Sequence, residues 1–228
     1  MFRAEPSFLH AYCERMGSPL FWAEPLNAVT NAAFLVAALM GALLWRRAVR
    51  RDAILLVLWL LVFAIGVGSF LFHTIPNRTT VMLDVVPIQI FILVYVGVAL
   101  RRYLDAPLWL ALVGPGLFFG LSAGVVALAG SRALGGGIGY VPALAALFGF
   151  AMAAAFRRDP ASRQVAGGLT LAGLIFALSL TFRTFDRPVC GLIPIGLHFL
   201  WHLLNAVVLG LLLRVLARHS LENDVRSG

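Results

Sequence analysis

Seven apolar blocks, roughly 26–45, 53–72, 82–100, 108–129, 138–156, 165–181 and 193–216, take up nearly all of a 228-residue chain. A helix needs about 20 predominantly apolar residues to cross a hydrocarbon core, and the blocks cluster near that length. At 61% hydrophobic and 12% charged residues, the chain is too apolar for a soluble domain. The expected fold class is therefore all-α: a polytopic membrane protein whose seven transmembrane helices form one domain. Residues 1–25 are expected to form an exterior N-terminal segment, 26–217 the seven-helix domain and 218–228 a cytoplasmic tail. Glu5, Glu14 and Glu24 interrupt the first 25 residues, which carry no signal-peptide pattern.

The net charge is +8, and all eighteen basic residues are arginine. Their placement decides what the charge means. Twelve follow the odd-numbered spans: Arg46, Arg47, Arg50 and Arg51, then Arg101 and Arg102, then Arg157, Arg158 and Arg163, then Arg214, Arg218 and Arg226. Only Arg3, Arg15, Arg78, Arg132, Arg183 and Arg187 remain for the other side. This is the positive-inside pattern, with the N-terminus outside and the C-terminus cytoplasmic. The charge thus signals topology, and no nucleic-acid partner is expected; the expected partners are the bilayer and a membrane lipid, and the sequence points to no known protein partner. A retinal protein is excluded, because no lysine exists to form its Schiff base. Arginine in place of lysine, with abundant alanine, suits a GC-rich bacterial genome and hence a bacterial cytoplasmic membrane. Cys13 and Cys190 both fall on the exterior side, where they are either a disulfide candidate or two unrelated thiols.

Polar residues inside the apolar blocks are few, and segment direction brings them to one depth. Span two runs outward and ends at Ser69 and His73; span three returns inward and starts near Asp84; span seven runs inward from His198 and His202. Ser69 and His73 are four apart, as are His198 and His202, which puts each pair on one helix face with Cβ atoms roughly 6 Å apart. A single buried histidine is more often a hydrogen-bonded core residue than a ligand. Three at one depth beside an intramembrane carboxylate reverse that expectation, since such a carboxylate costs on the order of 2.5–3.5 kcal/mol at mid-membrane. Three imidazoles are also the ligand count of a catalytic zinc site that leaves a fourth position open. The pattern points to a membrane-embedded metallohydrolase with its site toward the exterior.

Other features carry less. His10 and His219 lie outside the spans and are expected on the surface. Gly116, Gly120 and Gly124 recur every fourth residue, a spacing that lets helices approach closely. Pro87, Pro115, Pro142 and Pro194 are candidate kinks, and Gly135–Gly136–Gly137 a flexible connection.

Three blocks resemble the alkaline ceramidases, within the superfamily that includes the adiponectin-type receptors. They are Tyr12–Cys13–Glu14 with Glu24–Pro25–Leu26–Asn27–Ala28–Val29–Thr30–Asn31, then Gly68–Ser69–Phe70–Leu71–Phe72–His73–Thr74 with Leu83–Asp84–Val85–Val86–Pro87, and finally His198–Phe199–Leu200–Trp201–His202. The resemblance implies that His73, His198 and His202 bind zinc, that Asp84 contacts the metal-bound water, and that Ser69 assists beside the metal. It also implies a Cys13–Cys190 disulfide. Family enzymes further bind calcium through the N-terminal segment. Glu14 and Glu24 stand at the expected positions, whereas Ala11 and Met16 stand where the family carries Asp and Asn. Asp84–Val85 replaces the frequent Asp–Glu.

The activity these features imply is zinc-dependent hydrolysis of the amide bond of a ceramide-like lipid, giving a fatty acid and a long-chain base. The alternative is a receptor or sensor of the adiponectin-receptor type with little turnover. A haem cytochrome and a proton-coupled transporter also use buried histidines.

Overall fold

The computed structural model of the chain describes residues 4–47, 52–157 and 159–227. Arg3, Arg50, Arg51 and Arg158 of the charge pattern lie outside the described residues. Eight α-helices are described: α1 (Pro25–Thr30), α2 (Ala32–Arg47), α3 (Ala53–Thr74), α4 (Arg78–Val98), α5 (Leu108–Ala129), α6 (Val141–Phe156), α7 (Pro160–Phe185) and α8 (His198–Ser227). No strand occurs among the described residues. Local chemistry fixes several starts. Pro25 and Pro160 occupy first-turn positions whose amides need no partner. Asp52 caps α3 by accepting from the Ile54 amide at 2.9 Å, and Asp159 caps α7 through the Ser162 amide at 2.9 Å. Asn77 and Thr80 form a reciprocal capping box at the start of α4.

Among the described residues, seven stretches are long and apolar enough to cross a membrane: Pro25–Arg46, Ala53–Thr74, Arg78–Tyr103, Leu108–Ala129, Ile138–Phe156, Pro160–Phe185 and His198–Ser220. Three differ from the sequence-based blocks for identifiable reasons. The third starts earlier because the capping box opens it at Arg78. The sixth is longer at both ends, since Asp159 and Pro160 start it and polar Thr181, Arg183 and Thr184 stay helical. The seventh starts at His198 rather than 193, because Gly196 has φ +68 and cannot be helical.

Packing centres on α3 and α8. α3 lies against α2, α4 and α8, while α7 lies against α6 and α8. Leu58, Leu169, Leu213 and Leu216 are fully buried where these helices meet. α5 is peripheral and shows Leu112, Leu117 and Leu121 to the outside. Its Gly116, Gly120 and Gly124 face open space: a methyl group added at any of them would meet nothing within 4 Å. The close helix approach expected there occurs instead at Gly68, where a methyl would strike the Leu83 carbonyl. That contact presses α3 onto α4 one residue from both Ser69 and Asp84.

The end of the bundle opposite His73 is closed by polar contacts. The Asp52 carboxylate pairs with Arg102 and accepts from Ser220 Oγ at 3.3 Å, tying α3 to α8 and to the π-helical turn Ala99–Tyr103. Tyr95 Oη donates to the Leu212 carbonyl at 3.2 Å and lies 3.0 Å from Tyr103 Oη. Burial opposes ionisation of Asp52, but the Arg102 guanidinium outweighs it and holds the carboxyl below its ordinary value.

Two outcomes follow from this packing. Gly68→Ala is expected to cost about 1–3 kcal/mol through overpacking, read as a lowered unfolding midpoint in detergent, whereas Gly120→Ala leaves the midpoint unchanged or raises it. The Asp52 pair contributes stability above the unfolded carboxyl pKa of about 3.9 that is lost as acid carries the pH down through the lower folded value. The stability advantage of the wild type over Asp52→Asn, measured at stepped pH, should therefore shrink below about pH 4.

Candidate metal centre

α3 ends, α4 begins, α7 ends and α8 begins at one end of the bundle, and the N-terminal segment folds across it. The Glu5 amide donates to the Pro76 carbonyl at 2.8 Å, Arg187 bonds the His10 carbonyl, and a disulfide joins Cys13 to Cys190 with Cα atoms 5.4 Å apart. Asp186, 1% exposed, sets the start of α8. Its Oδ1 accepts from the Leu197 and His198 amides at 2.7 and 2.9 Å, and its Oδ2 from the Cys13 amide at 3.2 Å. A side chain at Gly196 would collide with that carboxylate and with Cys13 Cβ. The first residue of α8 is thereby fixed to the N-terminal segment, and His198 is that residue.

His73, in the last turn of α3, meets His198 and His202 from α8. Ring centroids are 4.7 Å apart for His73–His202 and His198–His202 and 5.3 Å for His73–His198. One donor atom from each can be chosen so that all lie within 4.8 Å of one another. The three side chains are buried, at 1–2% exposure. His73 Nδ1 lies 2.5 Å from Glu24 Oε2, and with a carboxylate as partner that nitrogen carries the proton. The opposite nitrogen, Nε2, is buried without a hydrogen-bond partner, as is His198 Nδ1. The Thr30 hydroxyl donates to the Leu26 carbonyl at 2.7 Å and so accepts from His202 Nδ1 at 3.1 Å, which frees His202 Nε2. Orphaned imidazole nitrogens in a dry cluster are costly, and a borderline cation with nitrogen ligands is what relieves them. The donor set fits zinc.

Ser69, Asp84, His198 and His202 line a cavity of about 180 Å³. Ser69 is 3% exposed and interacts through its hydroxyl with the half-buried Asp84 carboxylate. Below these groups the walls are mostly apolar. α4 contributes Ile88, Ile92 and Val96 at four-residue spacing below Asp84, and α8 contributes Leu209 and Leu212 below His202 and the polar Asn205.

All five intramembrane residues singled out in the sequence are brought to this site. Glu14 and Glu24, grouped in the sequence as calcium ligands, have separate partners. Glu14 accepts from the Leu26 and Asn27 amides at 2.7 and 2.8 Å, and burial pushes its carboxyl up despite those bonds. Burial also opposes ionisation of Glu24, yet His73, Arg15 and Asn27 together hold its carboxyl low.

Four neighbours escaped sequence reasoning. Tyr12 stacks on His198 at 3.8 Å, and burial pushes its phenol up to about 12, so it remains neutral. Arg183 had been counted with the exterior charges. It lies within α7, over Trp201 at 5.1 Å and Tyr140 at 5.7 Å, and lines the cavity. Asp186 gives no motif at all. Thr30 and Tyr12 sit inside the blocks quoted above, so those blocks held the only signal for them.

A family model described as Ceramidase matches residues 10–226. No curated protein matches the chain.

Purified protein is expected to carry one zinc ion per chain by elemental analysis. His198→Ala and His202→Ala should each weaken retention at least about tenfold, the low end of losses seen even for groups one shell further out. Full occupancy in both variants would rule out the three-imidazole site.

Proposed function

The chain belongs to the ceramidase family, and from that premise we propose that it hydrolyses the amide bond of a ceramide-like lipid within the membrane, releasing a fatty acid and a long-chain amine. The observation that carries this reading is the shape of the cavity. Its polar groups gather at one end, and the apolar stripe of α4 runs from Asp84 to Val96. Twelve residues at 1.5 Å each give a slot roughly 18 Å long, which suits an extended acyl chain. The scissile bond then lies among the imidazoles, Ser69 and Asp84.

His73, His198 and His202 would hold zinc, which when bound supplies Lewis acidity and acidifies water to a pKa of roughly 7. Glu24 and Thr30 each accept a hydrogen bond from the protonated Nδ1 of one imidazole, so the ring presents its other nitrogen without rearrangement. Asp84 accepts a proton from the attacking water and returns it to the amide nitrogen as the carbon–nitrogen bond breaks. The Ser69 hydroxyl, beside Asp84, donates to the carbonyl oxygen as negative charge develops there. Burial under the N-terminal segment limits bulk water at the reacting groups.

The site would face the exterior of the membrane. Two features support that orientation: the excess of arginine beyond the odd-numbered spans and a disulfide on the site's own side, as an oxidising compartment permits.

Asp84→Asn preserves size and removes the base. It should lower kcat for fatty-acid release from ceramide at least about 100-fold, in line with loss of general acid–base catalysis, while zinc content stays at the wild-type level. Unimpaired turnover by Asp84→Asn would refute the assigned role, and a wild type that binds zinc but releases no fatty acid would favour a receptor.

A further inference from the structure

Arg15 is the largest fully buried side chain among the described residues, at 1% exposure. A dry guanidinium needs a partner at every face, and here every partner is oxygen. Nε donates to Glu24 Oε1 at 2.5 Å, Nη1 to the Ser18 and Leu20 carbonyls at 3.0 and 3.1 Å, and Nη2 to the His73 carbonyl at 2.7 Å. Carbonyls and a carboxylate converging from separate segments are the donors that a hard cation such as calcium selects.

Calcium itself does not fit this segment. It takes six to eight oxygens, and the carboxylates that family resemblance would offer are already engaged. Both Glu14 oxygens receive backbone amides. Glu24 Oε1 receives Arg15, and Oε2 receives His73 Nδ1 and the Asn27 side-chain amide at 2.5 and 3.0 Å. Ala11 has no side-chain oxygen, and Met16 points a thioether outward at 68% exposure.

We propose that the Arg15 guanidinium is the resident cation of this segment, holding Glu24 and the end of α3 in place so that the metal centre is organised without calcium. Arg15 is a positioning residue that acts through two bonds. One fixes the His73 backbone directly. The other anchors the Glu24 carboxylate, whose second oxygen orients the His73 ring. The inference rests on the reading that the three imidazoles bind zinc.

The test measures zinc affinity by competition with a chromophoric chelator, on full-length protein in detergent and well below each variant's Tm. Arg15→Gln should bind zinc about 10–100-fold more weakly than wild type, the range for loss of a group that orients a metal ligand. Millimolar calcium chloride, added to wild type stripped with a calcium-selective chelator, should change neither zinc affinity nor Tm. A bound ligand present in excess would raise Tm. Undiminished zinc affinity in Arg15→Gln, or a calcium-dependent rise in Tm or zinc affinity of the wild type, overturns the proposal. If Arg15→Gln does not accumulate as folded protein, the calcium arm alone decides. Failure of the wild type to bind zinc at all would instead sink the underlying metal-site reading.

Discussion

A neutral imidazole presents a lone pair on one nitrogen only, and the hydrogen bond made by the other decides which. In this chain the Glu24 carboxylate makes that decision for His73 and the Thr30 hydroxyl makes it for His202. Both residues flank or belong to α1, a helix of six residues whose start is held by Glu14. The imidazole cluster thus depends on a short N-terminal element that contributes no imidazole itself. The same segment reaches α8 through the Cys13–Cys190 disulfide and through Asp186, whose carboxylate joins the Cys13 and His198 amides. One covering segment thus fixes the start of α8 and the tautomers of His73 and His202.

Burial of so many polar groups would ordinarily be destabilising. The arrangement works because charges are compensated locally, Arg15 by Glu24 and three carbonyls, Asp186 by three amides. Two imidazole nitrogens of the cluster, His73 Nε2 and His198 Nδ1, are left without a hydrogen-bond partner. The cavity beneath is mostly apolar along α4 and α8, and Tyr95, which bonds the Leu212 carbonyl, lines it with Leu212. Polar groups gathered above a mostly apolar cavity are the pattern on which the proposed lipid-amide substrate rests.

The bundle was legible in the sequence because hydrocarbon thickness imposes a length that composition displays directly. Convergence of Ser69, His73, Asp84, His198 and His202 was legible too, since alternating helix direction puts the ends of spans two, three and seven together. Caps and backbone strain were not. Gly196 keeps 193–197 out of the last helix through a positive φ that hydropathy does not register, and Asn77 with Thr80 lengthens span three. The arginine count does not foresee the surroundings of two individuals. Arg15 is buried against a carboxylate and carbonyls, and half-buried Arg183 lies over aromatic rings, partners that only folding supplies. The glycine stripe of α5 has the spacing of a helix contact but faces open space, because spacing says nothing about which neighbour is present.

The central claim is that three imidazoles from α3 and α8 share one zinc ion. X-ray absorption at the zinc edge of the purified protein addresses it most directly. Nitrogen scatterers with the multiple-scattering signature of three imidazoles, at about 2.0–2.1 Å, are the predicted result. A spectrum dominated by sulfur or by oxygen alone, or one unchanged when His73 is replaced by alanine, would contradict the account.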